Sequence, residues 1–306
     1  MSHTVDPNAV GADDTATFEA ERARLTGIAY RLLGSVGDAE DVVQEAWLRW
    51  ARADRTAIEH PPAWLTTVVG RLGLDRLRAR RRDRTDYVGP WLPEPIVEPV
   101  ADPAAVAELA DSLTTAFLVL LETLAPDERL VVLLADVFAE PFPAIADVLG
   151  RTPDATRQLA VRARRKLATA REGRSDTPRP SAAEQWSVAN RFVAAVMTGD
   201  LDEVRRLLDP AVVLVGDGGP ARHAARRPVL GPERVARFVI NIARRVPQGA
   251  EVAAVWVNGA PGLLVTVRGR PDMVLALDVR DARVQRVFSI LNRDKLAAVG
   301  RSIALR

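Results

Sequence analysis

Cysteine is absent from all 306 residues, which removes disulfides, thiolate metal sites and thiol redox chemistry. No uninterrupted apolar run approaches the roughly 20 residues needed to span a bilayer, and no apolar core follows a basic head at the start of the chain. A soluble cytoplasmic protein is therefore expected. Histidine occurs only three times, twice in the first half as His3 and His60, which leaves little material for a histidine-centred catalytic site. No metal and no cofactor is expected. Charge of one sign is also nearly lacking in the total, +2, yet the pI is near 9.5 and the arginines gather in two segments. Those two segments are where an acidic polymer would bind.

What is present is apolar material, 48%, sufficient for about two or three domains with their own cores. Residues 1–16 are polar and small and are expected to be unstructured. Order is expected from about Phe18, where Leu25, Ile28, Ala29, Leu32 and Leu33 follow the spacing of an amphipathic helix. Gly34 and Gly37 interrupt that pattern, and a second helix is expected from Asp38. Along it Asp38, Asp41 and Glu45 share one face, while Val42, Val43, Ala46, Trp47 and Trp50 share another. One side is built to be buried and the other to meet a basic partner. Pro61 and Pro62 then punctuate the chain before a third helix over residues 63–82.

That third helix carries RLGLDRLRARRRDR, residues 71–84, in which seven arginines against two aspartates leave a local charge near +5. Such a run is either a solvated face or, with Trp64 and the loop at residues 59–62, a cradle for a single strand with arginines on its phosphates. Trp64 is either a core residue or the stacking platform of that cradle. Residues 86–103, with YVGPWLPEPIVEPVADP as their main part, are too rich in proline for a regular helix or a central strand and read as a linker.

A second helical block is expected over residues 104–172. Phe142, Ile145, Ala146 and Leu149 form one apolar face, Gly150 closes that helix, and Thr152 and Pro153 open the next as N-cap and first helical residue. The segment DATRQLAVRARRKLATAR that follows is basic, so the pair has the form of a helix-turn-helix whose second helix enters the major groove. Thr156, Arg157 and Gln158 lie early on that helix, where arginine pairs with guanine and glutamine with adenine. Arg162, Arg164, Arg165 and Lys166 lie later and suit phosphates, and Leu159, Ala163 and Leu167 suit the core.

After a polar linker at residues 173–182 the pattern changes. Helices over residues 183–197 and 201–208 precede strand-like runs at 212–215, 252–257, 263–267 and 273–279, with a further helix near 232–245. In the last run Leu275, Leu277 and Val279 fall on one face and Asp278 and Arg280 on the other, as in a half-solvated antiparallel strand. Residues 183–306 are expected to be α+β.

An acidic helix, an arginine helix, a linker and a helix-turn-helix in this order resemble the extracytoplasmic-function sigma factors of the sigma-70 family over residues 18–171. The resemblance rests on DAEDVVQEAWLRW, on PPAWLTTVVGRLGLDRLRARRR and on LAPDERLVVLLADVFAEPFPAIADVLGRTPDATRQLAVRARRKL. It implies that residues 17–85 bind the clamp coiled coil of core RNA polymerase through Asp38, Asp41, Gln44, Glu45 and Arg49. It implies that the same domain recognises and melts the downstream promoter element with Trp64, Arg71, Arg76 and Arg78. For residues 104–172 it implies reading of the upstream element with Thr156, Arg157, Gln158, Arg162 and Arg165. The implied activity is initiation of transcription, in stress response, without a catalytic residue.

The remainder resembles the branch of that family in which a SnoaL-like cone is fused behind the second DNA-binding domain. The branch carries a WLPEP motif in the linker, intact here as Trp91, Leu92, Pro93, Glu94 and Pro95. Its DGGG motif reads Asp217, Gly218, Gly219 and Pro220, and its NPDKL motif reads Asn292, Arg293, Asp294, Lys295 and Leu296. Pro220 stiffens a turn that glycine would leave free, and Arg293 loosens one that proline would fix. The implied fold is two all-α domains followed by an α+β cone, and the implied role of the cone is regulation in cis through the linker motif. Trp91, flanked by prolines in a polar linker, is expected either to anchor that contact or to pack against its own domain.

Two other classes compete with this reading: a free-standing helix-turn-helix regulator, and a small-molecule enzyme carrying a DNA-binding module. A repressor has no use for the acidic face. For an enzyme, Asp217 and His223 are the only nearby pair of suitable type, and they would have to line one pocket. His223 sits in the polar stretch PARHAARRP and is expected at the surface, so no catalysis is assigned. A small ligand of the cone stays open.

Overall fold

The apolar spacing at the start of the chain closes three helices on one another: α1 (Ala12–Leu33), α2 (Val36–Arg52) and α3 (Pro61–Asp83). The computed structural model describes residues 12–83, 87, 89–100, 113–171 and 179–300. These fall into two compact units, one within Met1–Arg84 and Glu122–Thr169, the other within Thr85–Leu121 and Ala170–Arg301.

In the first unit, Gly34 adopts φ 65° and Ser35 caps α2, its side chain accepting from the Asp38 backbone N–H at 3.3 Å. The cap sets the start of α2 at Val36, two residues before the expected position. The expectation of disorder is corrected for residues 12–16, which form the first turn of α1; residues 1–11 lie outside the described residues. Tertiary partners explain the difference. The Trp50 indole donates to the Asp14 carbonyl at 3.0 Å and Arg55 meets the Asp14 carboxylate at 3.2 Å, holding a turn that local propensity leaves undecided. Glycine inside α3 has a packing reason: a Cβ on Gly73 would lie 2.7 Å from Leu32, and one on Gly70 would lie 2.8 Å from Val148.

Helix α4 (Thr115–Leu121) belongs to the second unit, while α5 (Pro126–Val132), a π-helical turn (Leu133–Val137), α6 (Phe142–Leu149) and α7 (Pro153–Arg171) complete the first. Gly150 in the left-handed region (φ 63°) donates to the Ala146 and Asp147 carbonyls and ends α6, and the Thr152 hydroxyl accepts from Ala155 N–H at 3.2 Å to start α7. Ile145, Ala146, Leu159, Ala163 and Leu167 are buried between these helices. This is the helix-turn-helix read from the sequence.

The second unit pairs three helices, α8 (Ala182–Thr198), α9 (Leu201–Leu207) and α10 (Pro232–Ala243), with a sheet. Its strands are β1 (Val97–Pro99), β2 (Leu208–Asp217), β3 (Val229–Leu230), β4 (Glu251–Val257), β5 (Ala260–Val267), β6 (Arg270–Arg280) and β7 (Arg283–Ile290). Among the described residues their order is β1-β4-β5-β6-β7-β2-β3, antiparallel except for β2 beside β7. The linker supplies the edge strand β1, a place compatible with its prolines.

Strand β7 was not among the runs expected, yet it is central. Val284 and Val287 face the helices while Phe288 and Ile290 enter the opposite core, so burial on both faces erases the alternation that marks a strand. Helices α8 to α10 cover Leu214, Leu275, Leu277, Val279, Val284 and Val287. The other face, with Val274, Ala276, Phe288 and Ile290, is covered by Leu92 from the linker, Ala116 from α4, and Leu296 from a short C-terminal helix, α11 (Arg293–Leu296). Among the described residues no helix is long and apolar enough to cross a membrane.

Candidate functional sites

The acidic face of α2 is open at one end and engaged at the other. Asp41, Gln44, Glu45 and Arg49 are exposed, Arg49 pairing with Glu45 at 3.1 Å along the helix. Asp38 is half-buried: Arg76 and Arg80 of α3 reach its two oxygens at 2.9 and 2.7 Å, and Arg76 also meets Asp41 at 2.7 Å. The ridge therefore borrows positive charge from the arginine helix at Asp38 and Asp41, while Glu45 is paired only along its own helix.

Arg71 and Arg78 of α3 turn to α6 and α5. Arg71 donates to the Asp147 carbonyl at 2.6 Å and to that of Val148 at 3.4 Å, where cations suit the C-terminal end of α6. Arg78 reaches Asp127 at 2.8 Å, and Arg151 meets the other oxygen of the same carboxylate at 2.8 Å. Burial pushes the Asp127 carboxyl up, but hydrogen bonds from Arg151 and Arg78 outweigh it and hold the group below its ordinary value. Deeper in the unit, burial pushes Arg31 down to about 10. Its guanidinium donates to the Gly27 carbonyl at 3.1 Å and lies 5.3 Å from the Phe138 ring centroid. Trp64 is half-buried with its ring 5.7 Å from that of buried Trp50.

On α7 the described contacts divide the basic residues into two groups. Arg164 is paired with Asp136 at 2.5 Å and Lys166 with Glu128 at 2.6 Å, so these two hold the helix to its own unit rather than standing free for phosphates. Thr156 is a correction: it is fully buried, its hydroxyl donating to the Thr152 carbonyl at 2.9 Å, because position 156 shares the inward face with Leu159, Ala160 and Ala163. Arg157, Gln158, Arg162 and Arg165 are exposed, Arg157 pairing with Asp154 at 2.5 Å. Sequence reasoning missed Val161, an apolar side chain 57% exposed between Arg157 and Arg165 on the same face. Its signal was an apolar residue out of step with Leu159, Ala163 and Leu167.

The three motifs of the linker and the cone, separated by up to 205 residues, meet in the second unit. Asp217, completely buried at the end of β2, is the centre. One carboxylate oxygen accepts from the Tyr87 hydroxyl at 2.5 Å and from Gly219 N–H at 3.0 Å. The other accepts from Leu92 N–H at 2.8 Å and from the Lys295 ammonium at 2.6 Å. Lys295 donates in turn to the Leu92 carbonyl and lies 4.1 Å from the Trp91 ring centroid and 5.2 Å from that of Tyr87. Leu92, wholly buried, is the linker's deepest side chain, whereas Trp91 is half-buried as the roof over Lys295.

The glycines of this clasp follow from close approach. A Cβ on Gly218 would lie 2.3 Å from the Arg222 carbonyl oxygen, and one on Gly219, at φ 56°, would lie 2.7 Å from the Asn292 side chain. Pro220, the next position, is exposed and makes no part of the clasp. Asn292 caps α11, accepting from Asp294 N–H at 3.1 Å, and donates to the Tyr87 hydroxyl at 2.9 Å. Arg293 is the exposed first residue of that helix, where proline is favoured but not required. Both departures from the family motifs thus fall at solvent-facing positions. His223 is exposed, as expected, and lines a cavity to which Asp217 does not contribute.

Two helical domains followed by an α+β domain, to which the linker segment is clasped, define a sigma-70-type architecture. The model for sigma-70 region 2 matches residues 17–83, and that for sigma-70, region 4 matches residues 114–167. Over 293 residues the chain is 42% identical to the ECF RNA polymerase sigma factor SigJ of Mycobacterium tuberculosis, covering 92% of this chain and 93% of that protein. It is 34% identical over 285 residues to the probable ECF RNA polymerase sigma factor SigI of the same species, covering 92% and 94%. The crystal structure of SigJ covers 94% of this chain and 100% of its own at 39% identity, with a TM-score of 0.75. The chain belongs to the family of ECF RNA polymerase sigma factors, in the form that ends in a SnoaL-like domain.

Proposed function

We propose that this chain is an alternative sigma factor that works in the cytoplasm and is regulated in cis by its SnoaL-like unit. The open end of the α2 ridge, Asp41, Gln44, Glu45 and Arg49, docks on the clamp coiled coil of core RNA polymerase. The α3 arginines take the downstream promoter element. Arg157 and Gln158 read bases of the upstream element, Val161 offers an apolar contact to a thymine methyl, and Arg162 and Arg165 hold phosphates. The observation that carries the regulatory part is the clasp: Tyr87 and Leu92 are tied to Asp217, Lys295 and Asn292, Ile96 and β1 are tied to Asn258 and β4, and this part of the linker is thereby withdrawn from the tether between the two sigma domains. A shorter free tether narrows the distances those domains can span on a promoter. Arg71, committed to α6, and Arg78, committed to Asp127 of α5, support a resting state that must open before DNA is engaged.

The SnoaL-like unit serves as a regulator and not as a catalyst in this reading, because the carboxylate of Asp217 is filled by four donors and does not line the cavity that His223 lines. Co-purification with core polymerase tests the docking. Asp41→Arg with Glu45→Arg lowers the affinity for core at least tenfold in a normally folded chain; undiminished assembly would refute the reading. Run-off transcription with Lys295→Met tests the regulation, since releasing the linker changes promoter output while core binding stays intact.

A further inference from the structure

The face of the sheet opposite the clasp holds a cavity that neither polymerase nor DNA binding uses. It measures about 350 Å³ and lies where α10 diverges from β5, β6 and β7, within the size range of small-molecule sites. Phe238 and Ile242 of α10, with Val265 and Met273 of the sheet, supply apolar walls. Ser289 lines the same space, and its residue is 1% exposed with a hydroxyl that finds no hydrogen-bond partner among the described residues. A buried hydroxyl left unsatisfied costs about 1–3 kcal/mol, a penalty that a polar ligand atom would remove.

The rim carries a charge bias. Arg222 is paired with Asp272 at 2.7 Å, which neutralises both, whereas Arg245 and His223 are exposed and have no carboxylate partner among the described residues. We propose that this cavity is a binding site for a small amphiphilic monoanion, an apolar carboxylate whose hydrocarbon body fills the space beside Phe238 and Met273, with its charge at Arg245. A ligand of this class that also carries a hydroxyl or carbonyl on its body satisfies Ser289 as well, and octanoate, which carries none, tests the apolar space and the charge alone. The site shares strands with the clasp: Gly216 and Ser289 are register partners that line the cavity, and their neighbours Asp217 and Ile290 are the next pair, facing the linker. The proposal stands without the transcriptional reading, because binding is measured on the free chain.

The test is a fluorescence titration of the full-length chain with 1-anilinonaphthalene-8-sulfonate, competed by octanoate and by octanol. One saturable site is expected, with octanoate displacing the probe at tenfold or more lower concentration than octanol. Arg245→Ala shrinks that preference at least threefold, and Ser289→Leu, which fills the cavity, abolishes displacement by both while the far-ultraviolet circular dichroism stays native. Absence of a saturable site, equal displacement by acid and alcohol, or undiminished binding in a folded Ser289→Leu chain overturns the proposal. Should Ser289→Leu not fold, Arg245→Ala on the exposed rim decides alone: an unchanged preference for the acid overturns it.

Discussion

Replacing Lys295 by methionine removes one charge from the centre of the clasp and nearly preserves its volume. The Asp217 carboxylate, 0% exposed, then keeps only neutral donors: the Tyr87 hydroxyl and the Leu92 and Gly219 amides. Breaking a buried pair from one side costs about 3–5 kcal/mol, because the remaining ion cannot be solvated. The ammonium over Trp91 contributes roughly 0.5–2 kcal/mol, part of which is already counted in the pair. A loss of about 4 kcal/mol is expected for the second unit. At about 2–4 °C per kcal/mol for domains of 150–250 residues, its melting transition falls by about 8–16 °C. Adding Asp217→Asn to the same chain recovers much of the loss, since a neutral amide needs no counter-ion. Scanning calorimetry of the full chain measures the shift, and amide exchange at Leu92 reports whether the linker has come free. A loss below about 1 kcal/mol, with Leu92 still protected, would show that the pair does not hold the linker.

Leu92→Ala destabilises the same unit by about 2–5 kcal/mol in urea unfolding, more than Trp91→Ala, because the leucine is wholly enclosed and the tryptophan is a half-exposed roof. At Asp127 the folded carboxyl titrates below its ordinary 3.8, so its contribution is complete above that value and is lost as pH falls through the lower folded value. Asp127→Asn therefore costs about 1 kcal/mol at neutral pH, discounted for partial exposure, and progressively less as the pH falls below 3.8, which paired denaturation curves will reveal. On promoter DNA, Arg157→Ala costs about 1–3 kcal/mol and relaxes preference at one base pair, whereas Arg165→Ala weakens all sequences alike and lowers the salt slope by about 1. Binding titrations at several salt concentrations separate the two.

Local chemistry made much of this protein legible from its residues. The apolar spacing of α1 to α3, the Gly150 cap, and Thr152 with Pro153 declare the helices and the helix-turn-helix, because periodicity and capping act within one or two turns. The linker announced itself by its prolines. The order of these parts, with the WLPEP segment intact, carried the family. Tertiary structure alone decided the rest. Strand β7 lies in the middle of the sheet, covered on both faces, where no alternation survives to mark it. Thr156 faces inward because its helix rests on α6, and Arg164 and Lys166 are spent on Asp136 and Glu128. Asp217, Lys295 and Tyr87 became one network only when β2, α11 and the linker came together. A charged side chain is written in the sequence, but its partner is chosen by whichever distant segment packs beside it, and in a low-dielectric interior that choice sets what the charge does.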